Sequence, residues 1–436
     1  MLNMPAGQIF ALSKGIGDLS PATRREVERA YIDTLAVLCA GWNEPVTRAL
    51  RQTYPHVRAP WEAVSPSDAE TTALTWGTAA HALDYDDVHM TSVTHPSAVL
   101  VPAIEAVARL VPGTGGRKAG AFAVGLAVNV GLGNAMGFAH YEKGWHATST
   151  IGAVAAGAAI AHLLDLDERA FRSSLAVAAA QSGGLQRNFG TMIKPLQAGL
   201  AAQAGIRAAH LARSGLEGPG DVFTGNNGFL AVFEGPPDTR LELDIEAAVA
   251  GLSRKLFACC YMAHRPVAAA IRLHEAGASD LLADQDTGVE VEVPPGCLKA
   301  LTVDIPAIGS EAKFSGKYTV AHALSTGRLG LSAFVPESVA SPEFAGIARR
   351  VVLRETSTAG EAGVGIDRGS VTVSLVRGGS VAARISIEAY PGSPAAPITD
   401  AALEAKLSDC IAMGAPHEKD LAARFRSMAK QFARNA

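Results

Sequence analysis

Paired cysteines, surplus charge and a nucleotide-binding glycine signature are all lacking in this chain of 436 residues. Each absence removes a class of protein. The five cysteines, Cys39, Cys259, Cys260, Cys297 and Cys410, are odd in number and scattered, with no CxxC pair. That argues against a disulfide framework and against a zinc or iron–sulfur site. Cys259 and Cys260 are adjacent, a poor geometry for chelating one metal, and the set reads as reduced thiols of a cytoplasmic protein. Charged residues make up 18% of the chain and the formal net charge is -4. A mildly acidic surface exerts no global attraction on nucleic acid or anionic membrane, so neither is an expected partner. An anionic ligand would have to be drawn in by local clusters of Lys, Arg and His. No strand followed by GxGxxG and a helix is present, which disfavours a nicotinamide enzyme. The N-terminus lacks a basic segment followed by a long apolar run, so no secretory signal is expected.

Hydrophobic residues reach 48%, enough for a large buried core. Residues 119–140 and 151–164 are apolar enough to raise the question of a membrane. They are built from Ala and Gly more than Leu or Ile, and the first contains Asn129 and Asn134, so tightly packed core helices are the better reading.

Helix signals dominate the first part of the chain. Ser20 is a natural N-cap, Pro21 suits the first helical position, and Val27, Tyr31, Leu35 and Leu38 follow at helical spacing. Similar patterns run through 69–83, 98–110, 119–137, 151–164, 168–181 and 198–214. After His264 the character changes. Short β-branched runs at 301–305, 351–354, 371–376 and 381–388 predict strands. The last two flank Arg377-Gly378-Gly379-Ser380 and predict a hairpin. Asp400 is a predicted N-cap for a return to helix, and a basic helix at 419–433 closes the chain with a solvated face. The expected fold class is mainly α: a large all-helical domain, 1–263 completed by 391–436, and a smaller α/β domain over 264–390.

Five segments carry candidate chemistry. The first, His81-Ala-Leu-Asp84-Tyr-Asp86-Asp87-Val-His89 continuing to His95-Pro-Ser-Ala, packs three aspartates and three histidines into one helix-to-helix connection. Like charges so close push one another's pKa values apart, which suits acid–base work. A surface loop with capping carboxylates is the alternative. Asp and His are also metal ligands, but no clean ligand spacing on one helix face emerges, so no metal is predicted. In the second, Gly144-Trp-His146, the histidine precedes a small-residue helix whose N-terminus suits a carboxylate. The alternative is a His packed beside Trp145. In the third, Lys194-Pro-Leu lies among apolar residues, so its ammonium needs an anionic partner, either a substrate carboxylate or a structural Asp or Glu. The fourth groups Lys255, His264 and Arg265 around Cys259-Cys260. The fifth runs Glu311-Ala-Lys-Phe-Ser315 to Tyr318. For these two a solvated charge cluster is the competing reading.

Taken in order, these segments resemble the MmgE/PrpD family, which includes 2-methylcitrate dehydratase, cis-aconitate decarboxylase and iminodisuccinate epimerase. The resemblance implies a helical domain with a smaller lid, a homodimer, and no nicotinamide, flavin or metal. It implies Asp84, His95, His146 and Tyr318 as catalytic residues and Lys194 and Lys255 as substrate-binding residues; His264 of the fourth segment is a further substrate-binding candidate. The implied activity is a lyase, first a hydro-lyase acting on a hydroxylated di- or tricarboxylate such as 2-methylcitrate. The alternatives are an epimerase of an imino- or amino-dicarboxylate, a decarboxylase, and a non-catalytic binding protein. Gln197 stands where the family often has His, which leaves the substrate open.

Overall fold

The computed structural model describes residues 4–62, 66–356, 369–389 and 391–434; the expected domain boundary at residue 390 lies outside them. The chain divides into two compact units, Met1–Arg254 with Asp400–Ala436, and Lys255–Thr399.

The first unit is helical. Its elements are α1 (Pro5–Gly15), α2 (Pro21–Gly41), α3 (Pro45–Thr53), α4 (Ala69–His81), β1 (Val88–His89), α5 (Ser97–Ala108), α6 (Lys118–Glu142), α7 (Ala147–Leu163), α8 (Glu168–Ala179), α9 (Ile193–Arg213), α10 (Phe229–Val232), α11 (Ile245–Ala250) and β2 (Leu252–Ser253). Ser20 caps α2 as predicted, accepting from the Thr23 amide. Asp68 and Asp167 do the same for α4 and α8. β1 and β2 pair antiparallel, Val88 opposite Ser253 and His89 opposite Leu252.

At the centre, α7 packs against α5, α6, α8 and α9, and α4 packs against α5 and α9. The residues of α7 are buried almost throughout, on every side of the helix. An apolar stripe has no meaning for such a helix; Ala and Gly instead let backbones approach closely. Residues 115–142 are long and apolar enough to cross a bilayer, yet 78% of their most apolar stretch is buried inside the protein.

The second unit contains α12 (Tyr261–Glu275), β3 (Gly288–Val293), α13 (Gly309–Ala312), α14 (Gly316–Thr326), α15 (Pro336–Val339), α16 (Pro342–Arg349), β4 (Val351–Glu355), β5 (Val371–Arg377) and β6 (Ser380–Ile387). The mixed sheet has the order β4-β3-β5-β6. β3 runs parallel to β4 and antiparallel to β5. The predicted hairpin forms between β5 and β6, with Gly378 and Gly379 both at positive φ in the turn. The strand predicted over 301–305 does not form. Leu301 and Val303 instead lie, partly buried, against Cys260, Ala300 and Phe314. Its place in the sheet is taken by β3, where Val289, Val291 and Val293 are buried.

The chain returns to the first unit through α17 (Asp400–Gly414) and α18 (Leu421–Phe432), both packed on α2. Asp400 lies within the first turn of α17 and pairs with Arg25 and Arg29. All five cysteines are buried, and none is in a disulfide.

Candidate active site

The connection from α4 to α5 is held in a compact, strained shape. Asp84 sits at φ 50° and Val93 at φ 53°. Asp tolerates the left-handed region, but a β-branched Val there is an outlier, and each such residue costs of order 1–3 kcal/mol. Packing and hydrogen bonds enforce the shape. His89 and Thr94 form an antiparallel bridge across the turn. The hydroxyls of Thr94 and Ser92 donate to Asn129 Oδ1 of α6 at 2.6 and 3.3 Å. Ser92 presses so closely on Gly133 that a Cβ there would meet Ser92 Cβ at 2.2 Å. Asp87 accepts from the Ser97 amide and hydroxyl at the start of α5.

Two helices bring the charges together. α4 ends at His81 and α9 begins beside Lys194. Between them, a Cβ on Gly199 would meet Leu74 O at 2.2 Å and one on Gly77 would meet Gly199 Cα at 3.0 Å. These glycines therefore set the helix spacing. Lys194 Nζ donates to Asp84 Oδ1 at 2.7 Å and to His81 Nε2 at 3.1 Å, so that nitrogen carries the lone pair. Nδ1–H of His81 accordingly donates to Asp86 Oδ2 at 2.8 Å. His95 donates Nδ1–H to the carbonyl of Asp87 at 2.8 Å. In the neutral ring that fixes Nε2 as the basic nitrogen, 3.8 Å from Asp84 Oδ1.

His146 precedes α7, its ring stacked on His81 with centroids 5.8 Å apart and edge-on to Phe189 at 5.1 Å. Both its ring nitrogens are buried and find no hydrogen-bond partner among the described residues. Burial first, and then the charges of Lys194, His81 and His95, hold its pKa well below the usual histidine value. Burial likewise lowers His81, with Lys194 adding and Asp86 opposing. Burial pushes Asp87 up to about 7 against the opposing Ser97 hydrogen bond, with the charges of Asp33 and Asp86 reinforcing the rise. The arrangement thus holds the imidazoles of His81 and His146, the carboxylates of Asp84 and Asp86 and the ammonium of Lys194 buried together, which strengthens every charge interaction among them.

Ligand atoms of His81, Asp84, Asp86 and His95 all lie within 4.8 Å of one another, close enough for a cation. Lys194 already bonds two of these four residues, so the positive charge among them is its ammonium.

Residues 9–242 match the MmgE/PrpD N-terminal domain and residues 257–430 the MmgE/PrpD C-terminal domain. The chain belongs to the MmgE/PrpD family. Among relatives, it is 29% identical over 239 residues to the cis-aconitate decarboxylase of Homo sapiens, a match covering 50% of this chain and 47% of that protein. It is 27% identical over 292 residues to that of Mus musculus, covering 64% and 59%. It is 31% identical over 215 residues to that of Aspergillus terreus, covering 45% and 44%. The chain thus spans about half the length of the curated relatives it matches.

Of the residues singled out by the family resemblance, Asp84, His95, His146 and Lys194 come together in the first unit, joined by His81 and Asp86. His81 and Asp86 belong to the same sequence segment, but a site assignment for them needed the turn that folds Asp86 back onto His81. Phe189, whose ring lies 5.3 Å from Lys194 Nζ, carried no sequence signal. Lys255, His264 and Tyr318 lie in the second unit. Lys255 is fully buried. His264, in the first turn of α12, donates Nε2–H to Cys259 O at 3.2 Å. Tyr318, in the first turn of α14, donates its hydroxyl to Ala333 O, and burial raises its pKa. Gln197 is engaged structurally: Oε1 accepts from the Leu185 amide at 2.6 Å.

Proposed function

We propose that this MmgE/PrpD chain is a lyase acting on a small polycarboxylate, with its proton-transfer centre at His95, His146, Asp84 and Lys194. The observation that carries the reading is His146. An imidazole with both nitrogens buried and unbonded leaves polar groups uncompensated, and an oxygen-rich ligand would satisfy them. Lys194 offers an ammonium to a carboxylate, and His95 offers a lone pair on Nε2 held in place by the Asp87 carbonyl. Lys255 and Tyr318 join the assignment on the family resemblance alone, as do the homodimer and the role of the smaller unit as a lid; His264 joins it as a neighbour of Lys255 in the sequence, and the cytoplasmic location rests on the scattered cysteines.

Loss of carbon dioxide from a cis-aconitate-like acid is the first reading, supported by the names of the relatives. The carbon–carboxylate bond breaks, its electron pair moves into the conjugated skeleton, and a proton taken up from solvent on His95 Nε2 is delivered to carbon. Fixed cations stabilise the charge as it spreads onto a remaining carboxylate. Loss of water is the second reading, favoured by the basic Nε2 of His95. There a base removes the proton α to a carboxylate, and an acid protonates the departing hydroxide.

Incubation with cis-aconitate and a panel of hydroxylated di- and tricarboxylates in deuterium oxide, followed by proton NMR and by trapping of released carbon dioxide, tests both. Carbon dioxide with new alkene signals supports the carboxy-lyase, and a vinylic product without it supports the hydro-lyase. H95Q and H146Q are expected to slow turnover by roughly 10²–10⁴-fold. Unchanged turnover in both variants, or no reaction across the panel, would overturn the assignment.

A further inference from the structure

Asp84 and Asp86 flank Tyr85, and Tyr85 is gripped from beneath by a residue more than three hundred positions away. Lys406 Nζ of α17 donates to the Tyr85 carbonyl at 2.8 Å and lies 4.1 Å from the centre of its ring. The same ammonium sits 2.7 Å from Asp33 Oδ1 of α2, and both side chains are 1% exposed. Asp33 receives no hydrogen bond from any described residue, so Lys406 is the partner that balances its charge.

Stability alone does not account for this pair. Two buried charges lose their hydration, and a well-packed apolar pair of similar volume serves as well or better. Apolar packing is what surrounds it, since Leu403, Leu407 and Cys410 of α17 are buried. The distinctive product of the pair is a fixed carbonyl. The Tyr85 carbonyl shares a peptide plane with the Asp86 amide. Holding it, together with the ring, fixes the backbone on which Asp84 stands at φ 50° and from which Asp86 reaches His81.

We infer that Lys406, oriented by Asp33, is a positioning residue for the Asp84–Asp86 pair. Through that pair it sets the tautomer of His81 and the placement of Lys194. The inference rests on the reading of this cluster as the catalytic centre. Neither residue touches the reacting atoms; their action passes through one main-chain carbonyl. The C-terminal segment is thereby part of the site without lining it.

The test uses the full chain carrying D33L and K406M together, which removes both charges and leaves neither buried alone. Three readings are taken: the thermal midpoint, the ¹⁵N signals of the histidine rings, and kcat with KM on whichever polycarboxylate the wild type converts. The midpoint is expected to stay near that of the wild type. The His81 signals are expected to move from a pure Nδ1–H pattern to a mixture. kcat is expected to fall roughly 10–100-fold, the scale of a displacement near 1 Å, with KM moving far less. A folded double variant with wild-type histidine signals and wild-type kcat overturns the inference. If the double variant does not fold, D33N is read in the same way. If the wild type converts nothing in the panel, the lyase reading fails, while the ring signals still decide whether Lys406 sets the geometry.

Discussion

The helical unit and the sheet-bearing unit solve burial differently. In the first, α7 is surrounded by helices, and its burial comes from small residues that let backbones touch. In the second, β3 alternates buried valines with less buried residues, whereas β6 is exposed along most of its length. Crowding at helix backbones leaves no room for growth, while a sheet with one open face tolerates it. The proposed proton-transfer centre is built in the crowded unit. Its distances are set by glycines that cannot be enlarged without moving main chain.

Breaking that crowding gives the largest expected effect. G199L would drive a side chain into Leu74 O and Thr78 of α4. It is expected to cost more than about 4 kcal/mol and to leave little folded protein by circular dichroism. G199A is the smaller step, but its Cβ would still meet Leu74 O at 2.2 Å, so it pushes α4 from α9 by roughly an ångström. Turnover is expected to fall more than stability does, since His81 and Lys194 sit on those two helices.

A pH series perturbs the helical unit less severely. His89, His140 and His162 of the helical unit are held down to about 4, chiefly by burial. Their ordinary value is about 6.5. A folded pKa below the unfolded one means the unfolded chain binds more protons between the two. The stability these rings contribute is complete above pH 6.5 and is lost as pH falls towards 4. Asp87, raised to about 7, acts in the opposite sense, favouring the folded state as pH falls from 7 to about 4. Three histidines outweigh one carboxyl, so urea midpoints are expected to drop between pH 7 and pH 5. H162Q is expected to flatten that drop, and an unchanged slope would remove burial of this ring as its cause.

The smallest effect is expected on the open face of the sheet. Val381 is 55% exposed on β6, and V381T is expected to change stability by no more than about 0.5 kcal/mol in thermal melts. A larger loss would mean that this face is covered.

What the sequence showed follows the same division. The cap at Ser20, the helices of the first unit and the β5–β6 hairpin were legible because local chemistry decides them. The 301–305 run was misleading: β-branched composition signals a strand only where the run pairs with a sheet edge, and Leu301 and Val303 pack instead against Cys260, Ala300 and Phe314. The order of the motifs pointed to Asp84, His95, His146 and Lys194. It could not show that Asp87's carbonyl fixes the His95 tautomer, because that depends on a turn with two residues at positive φ. Nor could it show Lys406, whose importance appears only when α17 is laid on α2.

The contact between Asp33 and Lys406 also sets an order of assembly. A chain emerging from the ribosome exposes Asp33 early, then all of residues 255–399, and only afterwards the lysine that balances it. The sheet-bearing unit is synthesised in one uninterrupted stretch and can fold as it emerges. The helical unit is completed only by the last helices, and until they arrive the Tyr85 carbonyl between Asp84 and Asp86 lacks the ammonium of Lys406.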